Sequence, residues 1–298
     1  MSGAIRPGCG GQIGREARKE DTMTKVRLDV FLHERGDFPS REAARRAVMA
    51  GLVDVDGVRV EKPGTQINPE RQVTVKRPPH QFVSRGGLKL ERALTTFGIP
   101  VVDRVAIDVG ASTGGFTDCL LQHGARLVYA VDVGYGQLAW SLRQDDRVRV
   151  MERFNFRHAD PALFDLTPDL AVMDVSFIST KLLFPKLAEV CNPVADIVSL
   201  IKPQFEAGRG RVGKGGIVRD KQVHLDVLLD MLDHVTTLGW SCWGLDYSPI
   251  SGGDGNIEFL AWWRMFPSPE QTATWRSRCS DLVDSAWHAV GSEGREPG

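Results

Sequence analysis

The stretch Val105 to Phe116, VAIDVGASTGGF, constrains this chain more than any other. Apolar and β-branched residues run into Asp108. The glycines Gly110, Gly114 and Gly115 then open a segment in which Phe116, Cys119 and Leu120 recur at helical spacing. That pattern predicts a buried strand, a tight turn and a helix start. A parallel strand delivering its carboxyl end into glycines is where open α/β sheets bind nucleotide-like ligands, because glycine lets a ligand approach the backbone and the helix start offers free N–H groups. The spacing here is GxxxGG, which differs from the GxGxxG of dinucleotide binders.

The sequence beyond this stretch alternates strand and helix, the pattern of a mostly parallel sheet. ARLVYAVDVG ends a second strand at Asp132, about 20 residues past the glycines, where a carboxylate can hold ribose hydroxyls. VRVMERFNFR gives a third strand ending near Asn155 and Phe156. DLAVMDVSF gives a fourth ending at Asp174, and DIVSLIKPQFE a fifth ending at Lys202. Val223 to Leu238 reads as a helix, and WSCWGLDYS and NIEFLAWW as two closing strands, with Trp262 and Trp263 expected in the core. Asp108, Asp132, Asp174 and Lys202 should therefore share one edge of the sheet. Past Lys202, FEAGRGRVGKGGIVRD sets glycines among Arg209, Arg211, Lys214 and Arg219, a candidate basic lid for a phosphate backbone.

Ahead of this domain, RLDVFLHERG and PSREAARRAVMAG read as two short helices, the second carrying Arg41, Arg45 and Arg46 on its polar face. LVDV and VRV flank Asp56-Gly57, a dipeptide that takes the positive φ of a hairpin turn, and QVTVK adds a strand. From Met23 to Leu90 the chain is net basic, whereas Glu91 to Phe266 is net acidic, so a polyanionic partner is expected for the front unit. These elements, over roughly Arg27 to Lys76, resemble the S4 domain, a small α+β RNA-binding module. Contact with RNA through the three arginines follows as the expectation.

The 298 residues suit about two domains. The expected boundaries are a disordered tail at 1–22, the S4-like unit at 23–79, a linker at 80–86, the larger domain at 87–266, and a polar tail at 267–298 with at most one loose helix. Met23 opens the first periodic segment and is a candidate translation start. Cys9, Cys119, Cys191, Cys242 and Cys279 are scattered without CxxC or His at ligand spacing, which supports neither disulfides nor a metal site and fits a reduced cytoplasmic setting. No apolar run reaches about 18 residues, so stable membrane association is not expected.

The glycine turn is similar to motif I of S-adenosylmethionine (SAM) methyltransferases. Lys89 in SRGGLKL, Asp174 in MDVSF, Lys202 in LIKPQFE and Glu258 in GNIEF resemble the Lys-Asp-Lys-Glu set of FtsJ-like RNA 2′-O-ribose methyltransferases. With the S4-like unit in front, the whole from about Val26 to Phe266 resembles the TlyA family of haemolysin-named 16S/23S rRNA (cytidine-2′-O)-methyltransferases. The resemblance implies a Rossmann-like class I methyltransferase domain, SAM as cofactor, and ribosomal RNA or ribosomal subunits as partners. It leaves the oligomeric state open. Around the cofactor it implies Gly110, Ser112 and Gly114 at the methionine part, Asp132 at the ribose, and Asn155 with Phe156 at the adenine. Asp108 is expected either at the cofactor amino group or as a tie beneath the turn.

The chemistry fits these residue types. SAM carries an activated methyl group, so the protein must supply proximity, alignment and a sharpened acceptor. A sugar hydroxyl is a poor nucleophile until its proton is drawn off, and a lysine can take it when burial and a second cation favour the neutral amine. Lys202 is the expected base, Lys89 the second ammonium, and Asp174 and Glu258 hold the two in place. Two readings from other classes compete: a non-catalytic RNA-binding or assembly factor, and a membrane-lytic protein. The intact tetrad argues against the first, and the lack of an apolar span against the second.

Overall fold

The computed structural model describes residues 25–38, 40–49, 51–75, 82–252 and 255–293. The tail expected at 1–22, most of the connector ahead of 82, and the last residues of the chain lie outside them. The chain divides into two compact units, Met1–Arg77 and Pro78–Gly298.

In the first unit, β1 (Val26–Arg27) leads into α1 (Leu28–Glu34) and α2 (Arg41–Met49), followed by β2 (Val53–Val55), β3 (Val58–Arg59), β4 (Gln66–Ile67) and β5 (Val73–Val75). Leu28 and Leu32 from α1 meet Ala44 and Val48 from α2 over Val53, Val55 and Val73. β2 is central, antiparallel to both β3 and β5. The hairpin turns at Asp56 and Gly57, both at positive φ (50° and 79°), as its strand twist requires.

The second unit opens with α3 (Gly86–Phe97). It continues through β6 (Val105–Val109), α4 (Gly115–Gln122), β7 (Leu127–Val131), α5 (Trp140–Arg143), β8 (Val148–Met151), β9 (Leu170–Met173), α6 (Phe184–Val190) and β10 (Asp196–Ile201). It then runs through α7 (Pro203–Glu206), α8 (Lys221–Thr237), β11 (Ser241–Tyr247), β12 (Phe259–Arg264) and α9 (Pro269–Glu293). The seven strands form one sheet in the order β11-β12-β10-β9-β6-β7-β8. β8 through β10 are parallel, and β12 is antiparallel to β10 and β11.

Successive strand residues point to opposite faces, which explains why the strands read as unbroken apolar runs. Val105, Ile107 and Val109 face a core built with α6, α8 and α9. Ala106, by contrast, faces a second core built with α3 and α4. Trp263 is fully buried and Trp262 packs against the second core.

The carboxyl-terminal segment corrects an expectation. Far from being a loose tail, 269–293 is a 25-residue helix whose Cys279, Val283 and Ala286 are buried in the first core. Its fully buried side chains are small, with Trp275, Leu282 and Trp287 half-buried beside them, and the helix packs on α8 and β11.

Candidate active site

The helices that follow the two central strands go to opposite faces: α4, after β6, belongs to the second core and α6, after β9, to the first. Such a switch in direction opens a crevice at the carboxyl ends of the two strands. Gly110 sits at its floor with φ +89°, and a Cβ there would lie 2.8 Å from the carbonyl oxygen of Asp174. Only glycine satisfies both the dihedral and the close approach.

Two chambers meet over this floor. One, about 360 Å³, is lined by Val131, Asp132, Phe154, Asn155 and Phe156. The other, about 500 Å³, is lined by Lys89, Gly115, Phe116 and Lys202. Gly110, Ser112, Asp174 and Ser176 line both. Asp132 follows β7 directly and accepts from the Ser112 N–H (2.7 Å) on one carboxylate oxygen and from the Gly134 N–H (2.6 Å) on the other. It thus pins the glycine turn to the neighbouring strand while still facing the smaller chamber. Asn155 accepts from the Arg157 N–H (3.1 Å) and lines the smaller chamber together with the buried Phe156. Gly114 takes φ +98° and starts α4.

These features fit SAM. The Gly110 floor leaves room where a Cβ would close it, the apolar wall suits an adenine ring, and a carboxylate at the end of the second strand suits ribose hydroxyls. Asp108 stands apart. It is fully buried, accepts from the Thr117 hydroxyl (2.7 Å), and is not among the residues lining either chamber. Of its two expected roles, the structure gives it the tie between β6 and α4. Burial, opposed by the Thr117 hydrogen bond, pushes its carboxyl up to about 7.

The four charged residues named from sequence come together. Lys202 follows β10, and Pro203 after it starts α7 and turns the chain. Because β12 runs antiparallel to β10 with Ile201 opposite Phe259, Glu258 arrives at the same edge from the opposite direction. Asp174 follows β9, and α3 supplies Lys89. Lys89 Nζ is 2.6 Å from Glu258 and 3.9 Å from Asp174, and Lys202 Nζ is 2.6 Å from Asp174. The charges alternate as Glu258, Lys89, Asp174, Lys202, so two buried ammonium groups are balanced by two carboxylates. Lys89, Lys202 and Glu258 are each less than a tenth exposed. On α3, Lys89 is buried along with Leu90, Ala93 and Leu94.

Two further residues belong to this site and had no role assigned from sequence. Ser176 accepts a hydrogen bond from Lys202 Nζ at 2.9 Å. Glu206 accepts from the Ser179 hydroxyl (2.5 Å) and from the Thr180 N–H and hydroxyl (2.8 Å each), tying the loop after β9 to α7. Both sit inside quoted motifs, MDVSF and KPQFE, and that adjacency was the available signal.

The basic residues divide. Arg41 pairs with the buried Asp29 (3.1 Å), which Arg27 also holds (2.8 Å); Arg27 foremost draws that carboxyl down to about 2. Arg45 is exposed and only 4.0 Å from Glu42. Arg46 lies on α2 and Arg209 on a one-turn helix, with side chains outside the described residues. Arg211 pairs with Asp226, and Lys214 is exposed.

Comparison with known proteins shows the family. The model of the FtsJ-like methyltransferase family matches residues 82–265, and that of the S4 domain matches 26–73. The chain is 57% identical over 240 residues to YqxC of Bacillus subtilis, provisionally named as an rRNA methyltransferase, covering 80% of this chain and 85% of that one. It is 43% identical over 271 residues to the 16S/23S rRNA (cytidine-2′-O)-methyltransferase TlyA of Mycobacterium tuberculosis, covering 91% of this chain and 98% of that one. A solved structure from Streptococcus thermophilus, carrying a hemolysin name, superposes with a TM-score of 0.72 at 47% identity, over 92% of this chain and all of that one (100%).

Proposed function

The chain belongs to the TlyA branch of the FtsJ-like methyltransferase family, and from that premise we propose that it transfers a methyl group from SAM to the 2′-hydroxyl of a nucleotide in 16S or 23S ribosomal RNA. Cytidine is the proposed target, the base named for the Mycobacterium tuberculosis relative. One observation carries this reading: the buried Lys202 amine stands beside Asp174 at the junction of a chamber suited to the cofactor and the charged tetrad.

SAM, when bound, would supply an activated methyl group on a sulfonium, whose sulfur becomes a neutral thioether when the S–CH3 bond breaks. Within the protein, Gly110, Ser112 and Gly114 admit its methionine part, Asp132 holds the ribose, and Asn155 and Phe156 flank the adenine. Lys202 in its neutral form would accept the proton of the ribose hydroxyl, which sharpens that oxygen as the attacking group. Asp174, 2.6 Å away, stabilises the ammonium so formed, and the proton then passes to solvent through the open side of the crevice. Lys89 is locked by Glu258 and lends positive charge to the same corner.

RNA is held by Arg41, Arg45 and Arg46 on the S4 unit and by Arg209, Arg211 and Lys214 around the glycine-rich segment, through phosphate contacts. A ribosomal substrate puts the protein in the cytoplasm. Among the described residues, no helix is long and apolar enough to cross a membrane.

The test is incubation with methyl-labelled SAM and each ribosomal subunit from cells lacking the gene, followed by mapping of alkali-resistant linkages. Label at a cytidine 2′-oxygen is expected. Labelling of a base, or of neither subunit, overturns the proposal.

A further inference from the structure

We propose that Ser176 is the positioning residue for Lys202, fixing the direction in which its amine meets the acceptor hydroxyl. The inference rests on the methyl-transfer reading above.

Lys202 Nζ has two polar neighbours of different kinds. Asp174 is close at 2.6 Å, but this is an ion pair by distance, with its oxygen out of line for a hydrogen bond. Ser176 Oγ, at 2.9 Å, accepts a hydrogen bond. A carboxylate attracts an amine almost regardless of how the amine is rotated, whereas an aligned hydrogen bond selects one rotation about the last carbon–nitrogen bond. A neutral amine has two N–H groups and one lone pair. Donating one N–H to Ser176 restricts where the lone pair can point. Asp174 therefore supplies charge and Ser176 supplies direction.

The loop is built to hold that hydroxyl still. Upstream, the Asp174 N–H donates to the Val109 carbonyl (3.2 Å). Downstream, Glu206 takes three hydrogen bonds from Ser179 and Thr180. Between them Phe177 adopts φ +65° with its exposed ring against Phe205 (5.2 Å). Ser176 also lines three chambers: the two that meet over Gly110 and a third, about 350 Å³, bounded by Lys89, Lys202, Phe205 and Glu258. Its hydroxyl thus stands where the cofactor side of the crevice passes into the tetrad side.

The experiment uses the full chain carrying Ser176→Ala, Ser176→Thr, Lys202→Ala or the Ser176→Ala/Lys202→Ala pair, with single-turnover methylation of the accepted subunit, equilibrium SAM binding and RNA binding. Ser176→Ala should lower the turnover rate by roughly ten-fold, the equivalent of one directed hydrogen bond, with both affinities unchanged. Ser176→Thr, which keeps the hydroxyl, should restore most of that rate. In the Lys202→Ala background the serine change should cost nothing more, because its effect passes through the missing amine. A wild-type rate for Ser176→Ala, or a full further loss on top of Lys202→Ala, overturns the assignment. No transfer by the unaltered chain instead overturns the methyl-transfer reading itself.

Discussion

Gly110 and Asp174 meet across the two central strands so closely that a single added carbon at Gly110 would lie 2.8 Å from the Asp174 carbonyl oxygen. This contact sets the floor of the crevice and links the cofactor turn to the strand end that carries a tetrad carboxylate. Gly110→Ala should therefore disturb both at once. With φ at +89°, the substitution is expected to cost about 1–3 kcal/mol in stability and to weaken SAM binding at least ten-fold. Calorimetric SAM titration alongside a thermal melt checks this, and an unchanged affinity would mean that the turn yields without closing the crevice.

Lys202→Ala should leave SAM and RNA binding near normal and reduce the single-turnover rate by roughly 10²–10⁴, the range for a lost general base. Lys202→Arg should recover little, because a guanidinium stays protonated and cannot accept the hydroxyl proton. Near-full activity in the arginine variant would make Lys202 an electrostatic clamp and leave another group to take the proton.

Asp108 links the fold to pH. Burial holds its carboxyl at about 7, above the 3.8 of an unperturbed side chain, so between these values the folded chain keeps a proton that the unfolded chain releases. The resulting stability is fully present below about pH 4 and is lost as pH rises through 7, by on the order of 4 kcal/mol in all. Asp108→Asn keeps an acceptor for the Thr117 hydroxyl and removes the titration. Relative to wild type, its urea midpoint should rise from about pH 4 to about pH 8. Parallel pH profiles for the two proteins would refute this.

The arginines of α2 should separate by role. Arg41 shares the buried Asp29 with Arg27, whereas Arg45 is exposed with only a distant partner. Arg45→Ala should leave stability unchanged and, if Arg45 contacts phosphate, lower the salt dependence of RNA binding by roughly 0.7–0.9 in logarithmic slope. Arg41→Ala should in addition destabilise the S4 unit, by about 1 kcal/mol once solvent screening of the half-exposed guanidinium is allowed for. Denaturation and salt-titrated RNA binding measured on the same variants distinguish the two. An unchanged slope for both would return this helix face to plain solvent contact.

What the sequence determined by itself was whatever depends on near neighbours along the chain. The run from Val105 through Gly115 specifies strand, turn and helix because side-chain alternation and glycine dihedrals act over a few residues. Asp56-Gly57 specifies its hairpin for the same reason. The strand-end positions of Asp132, Asp174 and Lys202 followed from counting apolar runs. The tertiary structure decided what depends on packing between distant segments. The 269–293 helix spaces its apolar residues, Trp275, Cys279, Leu282, Val283, Ala286 and Trp287, among many polar ones, a pattern that acquires meaning when α8 and β11 supply the other half of the contact. Of the two roles open to Asp108, packing selected the tie to Thr117, and Arg41 was partly committed to Asp29. Lys89 turned inward because Glu258, 169 positions away, waits 2.6 Å from its amine. Local pattern fixes which residues end a strand or start a helix, but the order of strands in the sheet brings those ends together, and the packing that follows sets which partner each group meets.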